Sequence, residues 1–194
     1  MKKFQNAINH VLQKSWVCGL IVMLALTAGL AHSSHAVEWQ SEEYAVKAAF
    51  IYNFAEFIAW PDWPSSDHAD SFDICIIGND PFRSAMNALR NENIRGKKVQ
   101  IKRLNSASSC SHCQIVYISS SEQDRLDQIL ATLQGHNILT VADTADFARS
   151  GVIFNLYLED NKVRFEVNID AVKRSELNIS SKLLRLGRIV HDRE

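Results

Sequence analysis

The chain has 194 residues, of which 46% are hydrophobic and 22% are charged, and its formal net charge is −1 at pH 7. With 21 basic and 22 acidic residues it lacks the positive excess that would favour nucleic acid or an anionic membrane surface. After residue 36 no apolar run is long enough to span a bilayer.

Residues 1–36 predict a secretory signal peptide that is cleaved after Ala36. The segment begins with three lysines and no acidic residue, continues through an uncharged stretch at 16–31, and ends with small residues at Ser34 and Ala36. An uncleaved anchor is the alternative, but the uncharged stretch is shorter than the ~20 residues of a spanning helix. Cleavage would export a single domain, residues 37–194, with a formal charge of −4.

The first element of the exported region is a predicted helix at 41–58. It carries one apolar stripe at Tyr44, Ala48, Ile51, Ala55 and Ile58, and a second at Val46, Phe50, Phe54 and Phe57. Such a helix is either buried on both sides or packs one side inward and offers the other to a partner. The second reading makes Phe50, Phe54 and Phe57 a candidate surface for a partner or a second copy.

From residue 72 onward, predicted strands and helices alternate. The strands are expected at 72–77, 98–104, 114–119 and 138–142, and the helices at 82–90, 121–135, 143–150 and 179–190. A hairpin at 152–158 and 162–169 turns at Glu159-Asp160-Asn161. This order predicts an α/β fold with a mainly parallel sheet, helices on both faces and a C-terminal antiparallel hairpin.

The second hairpin strand alternates strictly between apolar and polar residues. Arg164, Glu166 and Asn168 are therefore expected on the face opposite to the core. This row is either a solvated sheet face or a ledge for a ligand, completed by Arg185 or Arg188 from the last predicted helix.

The sequence carries none of the common motifs for catalysis or cofactor binding. The five glycines after residue 36 form no phosphate-binding run, and no Gly-x-Ser-x-Gly sequence occurs. No two histidines have the spacing of metal ligands, and His112 between two cysteines is the single weak metal candidate. The sequence predicts no catalytic residue, cofactor or metal.

Three cysteines remain after residue 36: Cys75, Cys110 and Cys113. Cys110 and Cys113 have the spacing of a redox dithiol, but they precede a strand instead of beginning a helix, where the thiol pKa would be lowered. If the first and third predicted strands are neighbours, a Cys75–Cys113 bond would close a loop of about 38 residues and stabilise the fold by ~3–4 kcal/mol. A Cys110–Cys113 bond is the alternative and would suit a thiol oxidoreductase.

An ordered set of segments resembles the YfiR family of bacterial periplasmic proteins. The segments are Phe57-Ile58-Ala59-Trp60-Pro61, residues 74–82, Cys113-Gln114-Ile115-Val116-Tyr117-Ile118, residues 151–168 and residues 180–186. No single segment is diagnostic, but their order is specific and covers almost the whole exported region.

The resemblance implies a Rossmann-like sheet and a non-enzymatic regulator that tends to dimerise. The resemblance further implies that the protein represses a membrane-bound diguanylate cyclase by binding its periplasmic sensor region, which would lower cyclic di-GMP and biofilm formation. The family's disulfide maps onto Cys75 and Cys113. A second one would need cysteines around residues 148–155, which this chain lacks. A periplasmic small-ligand sensor for another membrane signalling protein is the alternative function.

Overall fold

The computed structural model describes residues 32–61 and 71–193, with side chains from Gln40 onward. The chain divides into two compact units, residues 1–42 and 43–194. Of the first unit the structure describes residues 32–42, which belong to a helix. Most of the predicted signal peptide, residues 1–31, lies outside the described residues.

Short helices and strands follow a long first helix. The helices are α1 (His32–Glu56), α2 (Ser84–Ala88), α3 (Leu126–Leu133), α4 (Ile169–Arg174) and α5 (Ser181–Leu184). The strands are β1 (Ile58–Ala59), β2 (Ser71–Ile77), β3 (Asn93–Ile94), β4 (Lys97–Leu104), β5 (Ile115–Ile118), β6 (Leu139–Ala142), β7 (Phe154–Glu159), β8 (Lys162–Asn168), β9 (Asn178–Ile179) and β10 (Arg188–Val190).

Eight strands form one sheet in the order β10-β8-β7-β6-β5-β2-β4-β3, and β1 pairs with β9 separately. Strands β4, β2, β5, β6 and β7 are parallel to one another, whereas β8 runs antiparallel to β7. Asp160 and Asn161 between β7 and β8 have φ angles of 50° and 58°, as a two-residue hairpin turn requires. The predicted α/β fold, mainly parallel with an antiparallel hairpin, is confirmed.

The two faces of the sheet pack against different helices. Alternate residues of β2 enter different clusters, Ile74 and Ile76 with α1 and Cys75 and Ile77 with α3. We call these the α1 face and the α3 face. The strands in the middle of the sheet are apolar on both faces because both are covered.

The structure corrects two of the predicted helices. Residues 143–150 form turns, with Asp146 at a φ of 69°, a value that a right-handed helix does not accommodate. Residues 179–190 form β9, α5 and β10 instead of one helix. Gly187 explains the second difference, since a Cβ there would lie 2.5 Å from the Phe165 ring. The glycine lets the tail approach the sheet and pair with β8.

Candidate functional site

The crevice in which parallel α/β sheets often bind nucleotides is filled by side chains here. The strand order reverses between β2 and β5, and ligands usually enter at the carboxyl ends of such strands. Ser121 and Glu122 occupy this point, because a Cβ on Gly78 would lie 2.5 Å from Ser121 Oγ and 2.8 Å from Glu122 Cγ. The Asn79 backbone N–H donates to Ser121 Oγ at 3.0 Å and holds that side chain in the crevice.

A buried polar network lies at the carboxyl end of β6, next in the sheet to β5. The Asp143 carboxylate accepts hydrogen bonds from Tyr117 Oη at 2.5 Å and from Lys47 Nζ at 2.7 Å. Lys47 also pairs with Glu43, one helical turn earlier, at 2.5 Å. The side chains of Lys47 and Asp143 are 5% and 7% exposed. The network therefore holds α1 against the end of the sheet, and the buried charge of Lys47 is balanced by the carboxylates of Asp143 and Glu43.

Tyr117 and Tyr44, whose hydroxyls both bond to Asp143, stay protonated at neutral pH. The pKa of Tyr117 and the pKa of Tyr44 both lie well above the ordinary value of a phenol. Burial is the larger cause, and the negative charge of Asp143 is the next. Both hydroxyls are therefore donors to a carboxylate that several groups stabilise. The apolar and polar spacing of the sequence does not reveal this network. The available signal is Lys47 itself, a lysine inside a helix that is apolar on two sides, where a buried lysine needs a partner of opposite charge.

The disulfide joins neighbouring strands, as predicted. Cys75 in β2 is bonded to Cys113, which lies two residues before β5, and their Cα atoms are 6.1 Å apart.

Cys110 is a free thiol with 0% exposure, and its Sγ lies 3.6 Å from the carbonyl oxygen of Ser106. Burial raises the pKa of this thiol to about 11. Cys110 is thus an inert core residue in the disulfide form.

The polar row on β8 forms in part. Phe165 and Val167 are buried as the alternation predicted, and Arg164 pairs with Glu159 across the hairpin at 2.8 Å. Arg188 in β10 also reaches Glu159, at 2.7 Å, and lies 3.8 Å from Glu166. The row is therefore an exposed ion-pair cluster that spans β7, β8 and β10 on the α3 face.

Two residues predicted for this ledge do not belong to it. Asn168 is 0% exposed, and its Oδ1 accepts the N–H groups of Asp170 and Ala171 at the start of α4. Its Nδ2 donates to the Ala148 carbonyl at 2.6 Å, so it has a structural role. Arg185 is exposed at the end of α5, and Arg188 supplies the guanidinium group of the row.

The predicted surface of three phenylalanines is also corrected. Phe54 is 1% exposed and lies 4.5 Å from the ring of Phe154 and 5.1 Å from that of Phe165. Phe50 is half-buried at 6.1 Å from Phe165, whereas Phe57, just beyond α1, is 40% exposed. A stripe on a helix cannot by itself distinguish a partner surface from a wide buried face, and Phe54 lies in the core.

Exposed apolar side chains border the region where Phe50 meets Phe165. They are Val46, one turn before Phe50 on α1, with Leu158, Leu186 and Ile189, and each is between 45% and 74% exposed. Leu158 pairs with Val163 and Ile189 with Val167, which places both on the α1 face beyond the cover of the helix. We call Val46, Phe50, Leu158, Leu186 and Ile189 the apolar rim.

These observations define a class: a mainly parallel α/β domain with one disulfide between neighbouring core strands and an apolar rim beside an edge strand. Residues 44–188 match the YfiR/HmsC-like family model, and the chain belongs to that family. The family is periplasmic, regulatory and non-catalytic. Within residues 32–61 and 71–193, no helix has the length and hydropathy to cross a membrane.

Solved structures of the same general fold include two with TM-scores of 0.50 or more. A conserved domain protein from Vibrio cholerae O1 biovar El Tor gives 0.52 at 9% identity, with 73% of this chain and 59% of that chain covered. The ligand-free, open structure of a substrate-binding protein with adhesive properties from Clostridium difficile gives 0.50 at 12% identity, with 63% and 55% covered. The chain thus spans little more than half the length of these proteins, and the likeness concerns the fold alone.

Replacing Lys47 should cost much more stability than replacing its exposed partner. We expect Lys47→Met to lower the free energy of unfolding by about 3 kcal/mol, because Asp143 keeps a buried charge with one donor fewer. Glu43→Gln, the matched control, should change it by less than about 1 kcal/mol, because Glu43 is partly exposed. Urea denaturation measures both changes. Equal losses in the two variants would contradict a buried network centred on Asp143.

The Cys110 thiol should resist alkylation in the folded protein at pH 7. Its pKa of about 11 leaves almost no thiolate at that pH, and its side chain is buried. Mass spectrometry after iodoacetamide treatment should show no adduct in the folded mature chain, one adduct in denaturant without reductant, and three after reduction. Rapid modification of the folded protein would instead indicate a reactive thiol and favour the oxidoreductase alternative.

Proposed function

We propose that the protein is a periplasmic, non-enzymatic regulator that binds the periplasmic sensor region of a membrane-bound diguanylate cyclase and represses it. Repression lowers cyclic di-GMP signalling and biofilm formation. Membership in the YfiR/HmsC-like family supports the regulatory class. The observation that carries the binding role is the apolar rim, which groups four of the five large hydrophobic side chains that are exposed in the described part of the chain.

The rim has the composition of a protein contact surface. Exposed apolar side chains that lie together mark interaction sites more reliably than scattered ones. The charged row of Arg164, Glu166 and Arg188 lies on the α3 face of β8 and β10, opposite to the apolar rim. At the edge of the sheet it provides polar groups next to the rim, as the periphery of a protein interface does. Strand β10 is the last strand of the sheet on this side, so its outer backbone groups are also accessible to a partner strand.

A second copy of the chain could use the same region, and we propose that the protein forms a homodimer. Phe50 belongs to the rim, and Phe57 offers a separate exposed contact near β1. Phe54 has no part in either contact, because its ring is enclosed by Phe154 and Phe165. A charge at Phe54 would therefore unfold the domain and could not test partner binding.

Charges placed in the rim should relieve repression without unfolding the protein. Leu158 and Ile189 are 49% and 46% exposed, so we expect Leu158→Glu and Ile189→Glu to fold normally while losing contact with the partner. The measurement is cellular cyclic di-GMP in a strain that produces the protein with its membrane cyclase, together with co-purification of the two. Each variant should raise cyclic di-GMP toward the level of a strain that lacks the repressor.

Ala131→Glu is the matched control, because it places the same charge on an exposed position of α3, on the opposite face of the sheet. It should repress like the wild type. Full repression and co-purification by both rim variants would show that the partner binds elsewhere. Loss of repression by all three variants would indicate that the added charge, and not its place, is responsible.

Export should yield a mature chain that begins at Val37. Intact-mass and N-terminal analysis of the periplasmic fraction measure this directly, and cleavage after Ala36 leaves residues 37–194. Ala36→Leu should block or shift the cleavage, because the peptidase requires a small residue at that position. A full-length protein retained in the inner membrane would show that the leader is an anchor.

A further inference from the structure

The two edges of the eight-stranded sheet differ in how their outer backbone groups are covered. Strand β3 is the last strand on one side, and it pairs with only the first two residues of β4. Beyond that pair, the Val99 N–H donates to the Glu92 carbonyl at 3.0 Å. Arg90 Nη2 donates to the Ile101 carbonyl at 3.0 Å. The chain thus occupies the outer side of β4 with its own polar groups, which protects an edge strand from pairing with another chain.

Strand β10, at the other edge, has no such cover among the described residues. Its single neighbour in the sheet is β8, and the described residues form no other backbone hydrogen bond with Arg188–Val190. Successive residues of a strand direct their N–H and C=O groups to opposite sides. At least one residue of β10 therefore presents both groups on the side away from β8, where another strand can pair with them.

The residues after β10 are tied to the body of the domain. Asp192 Oδ1 accepts hydrogen bonds from Asn168 Nδ2 at 2.7 Å and from Arg174 Nη2 at 3.2 Å. The Arg193 N–H donates to the Arg149 carbonyl at 2.9 Å. These partners belong to β8, to α4 and to the turn after β6. The tail is thus held by the domain and not against the outer side of β10.

The charged residue of β10 also points away from the edge. A charged side chain that stands on an edge strand opposes pairing with another strand. Arg188 Nη2 instead lies 2.7 Å from Glu159 Oε1, and its Cζ lies 4.6 Å from the centre of the Tyr157 ring. Both partners belong to β7, so the Arg188 side chain crosses β8 and its charge is balanced there. Two copies of β10 therefore meet without an unpaired charge on either strand.

The α1 face of this edge is apolar. Ile189, the middle residue of β10, is 46% exposed, and Leu186, two residues before the strand, is 74% exposed. In an antiparallel pair centred on Ile189, this side chain lies opposite its own copy, with Cβ atoms about 4.5–5.5 Å apart. The same residue then covers apolar surface in both chains, as a twofold interface requires.

We infer that the homodimer proposed above forms by antiparallel pairing of β10 with β10 of a second copy, about a twofold axis at Ile189. The two eight-stranded sheets then continue into one another. The inference rests on the proposed homodimer and assigns its contact to one strand. This contact requires no cyclase, so its test is separate from the test of repression.

Sedimentation velocity over a concentration series measures the dimer dissociation constant of the purified exported protein. The wild type should sediment as a dimer. Ile189→Glu and Ile189→Lys should each raise the constant at least about tenfold, because the twofold axis places like charges opposite each other where water is excluded. An equimolar mixture of the two variants should recover a dimer, because opposite charges then face each other. Misfolded chains would not recover on mixing, so this result also shows that both variants fold.

Leu158→Glu and Leu158→Lys are the matched controls. Leu158 is 49% exposed and belongs to the same apolar rim, but it lies on β7 and is separated from β10 by β8. Both variants should form dimers with the dissociation constant of the wild type, alone and in the mixture.

Undiminished dimerisation of both Ile189 variants would overturn the pairing of β10 and leave a homodimer that forms elsewhere. Equal weakening by the Leu158 variants would overturn it as well, because the contact would then be spread over the rim. A mixture that recovers no dimer would overturn the twofold axis at Ile189. A monomeric wild type would overturn the homodimer together with this inference, while the repression test in cells would still decide the regulatory function.

Discussion

The placement of α1 depends on one buried ion pair. Lys47 and Asp143 are almost enclosed, and neither charge would be tolerated there alone. Their bond fixes the turn of α1 around Lys47 to the end of β6, and the Phe54 ring fixes a later turn against β7 and β8. The helix is thereby held across the middle of the sheet. It leaves the end of the hairpin and the edge strand uncovered, and this is why Leu158 and Ile189 remain exposed.

The same helix connects the buried network to the surface that we propose to be functional. Lys47 belongs to the network, whereas its neighbour Val46 and the following Phe50 belong to the apolar rim. A change in the position of α1 would therefore change the rim, and the bond between Lys47 and Asp143 keeps the rim in one arrangement.

The sequence was informative where patterns are local and less so where contacts are distant. Strands β2 and β5 were predicted well because their apolar runs are continuous, and their adjacency then made the disulfide of Cys75 and Cys113 geometrically reasonable. Residues 179–190 have helical spacing, and only the close approach of Gly187 to the sheet converts their end into a strand. The Lys47–Asp143 pair joins residues 96 positions apart, and no local pattern predicts such a contact.

Burial of a polar residue in this sheet is explained by its hydrogen bonds and by the face on which it lies. Phe154 and Leu156 face α1 in the core cluster, and strand alternation places Asn155, between them, on the opposite face. Asn168, which is also buried, lies on the neighbouring strand β8. Its Oδ1 accepts the first N–H groups of α4, and its Nδ2 donates to the Ala148 carbonyl. A residue with these bonds fixes the start of α4 to the turn after β6, so a polar alternation in the sequence does not by itself define a ligand site.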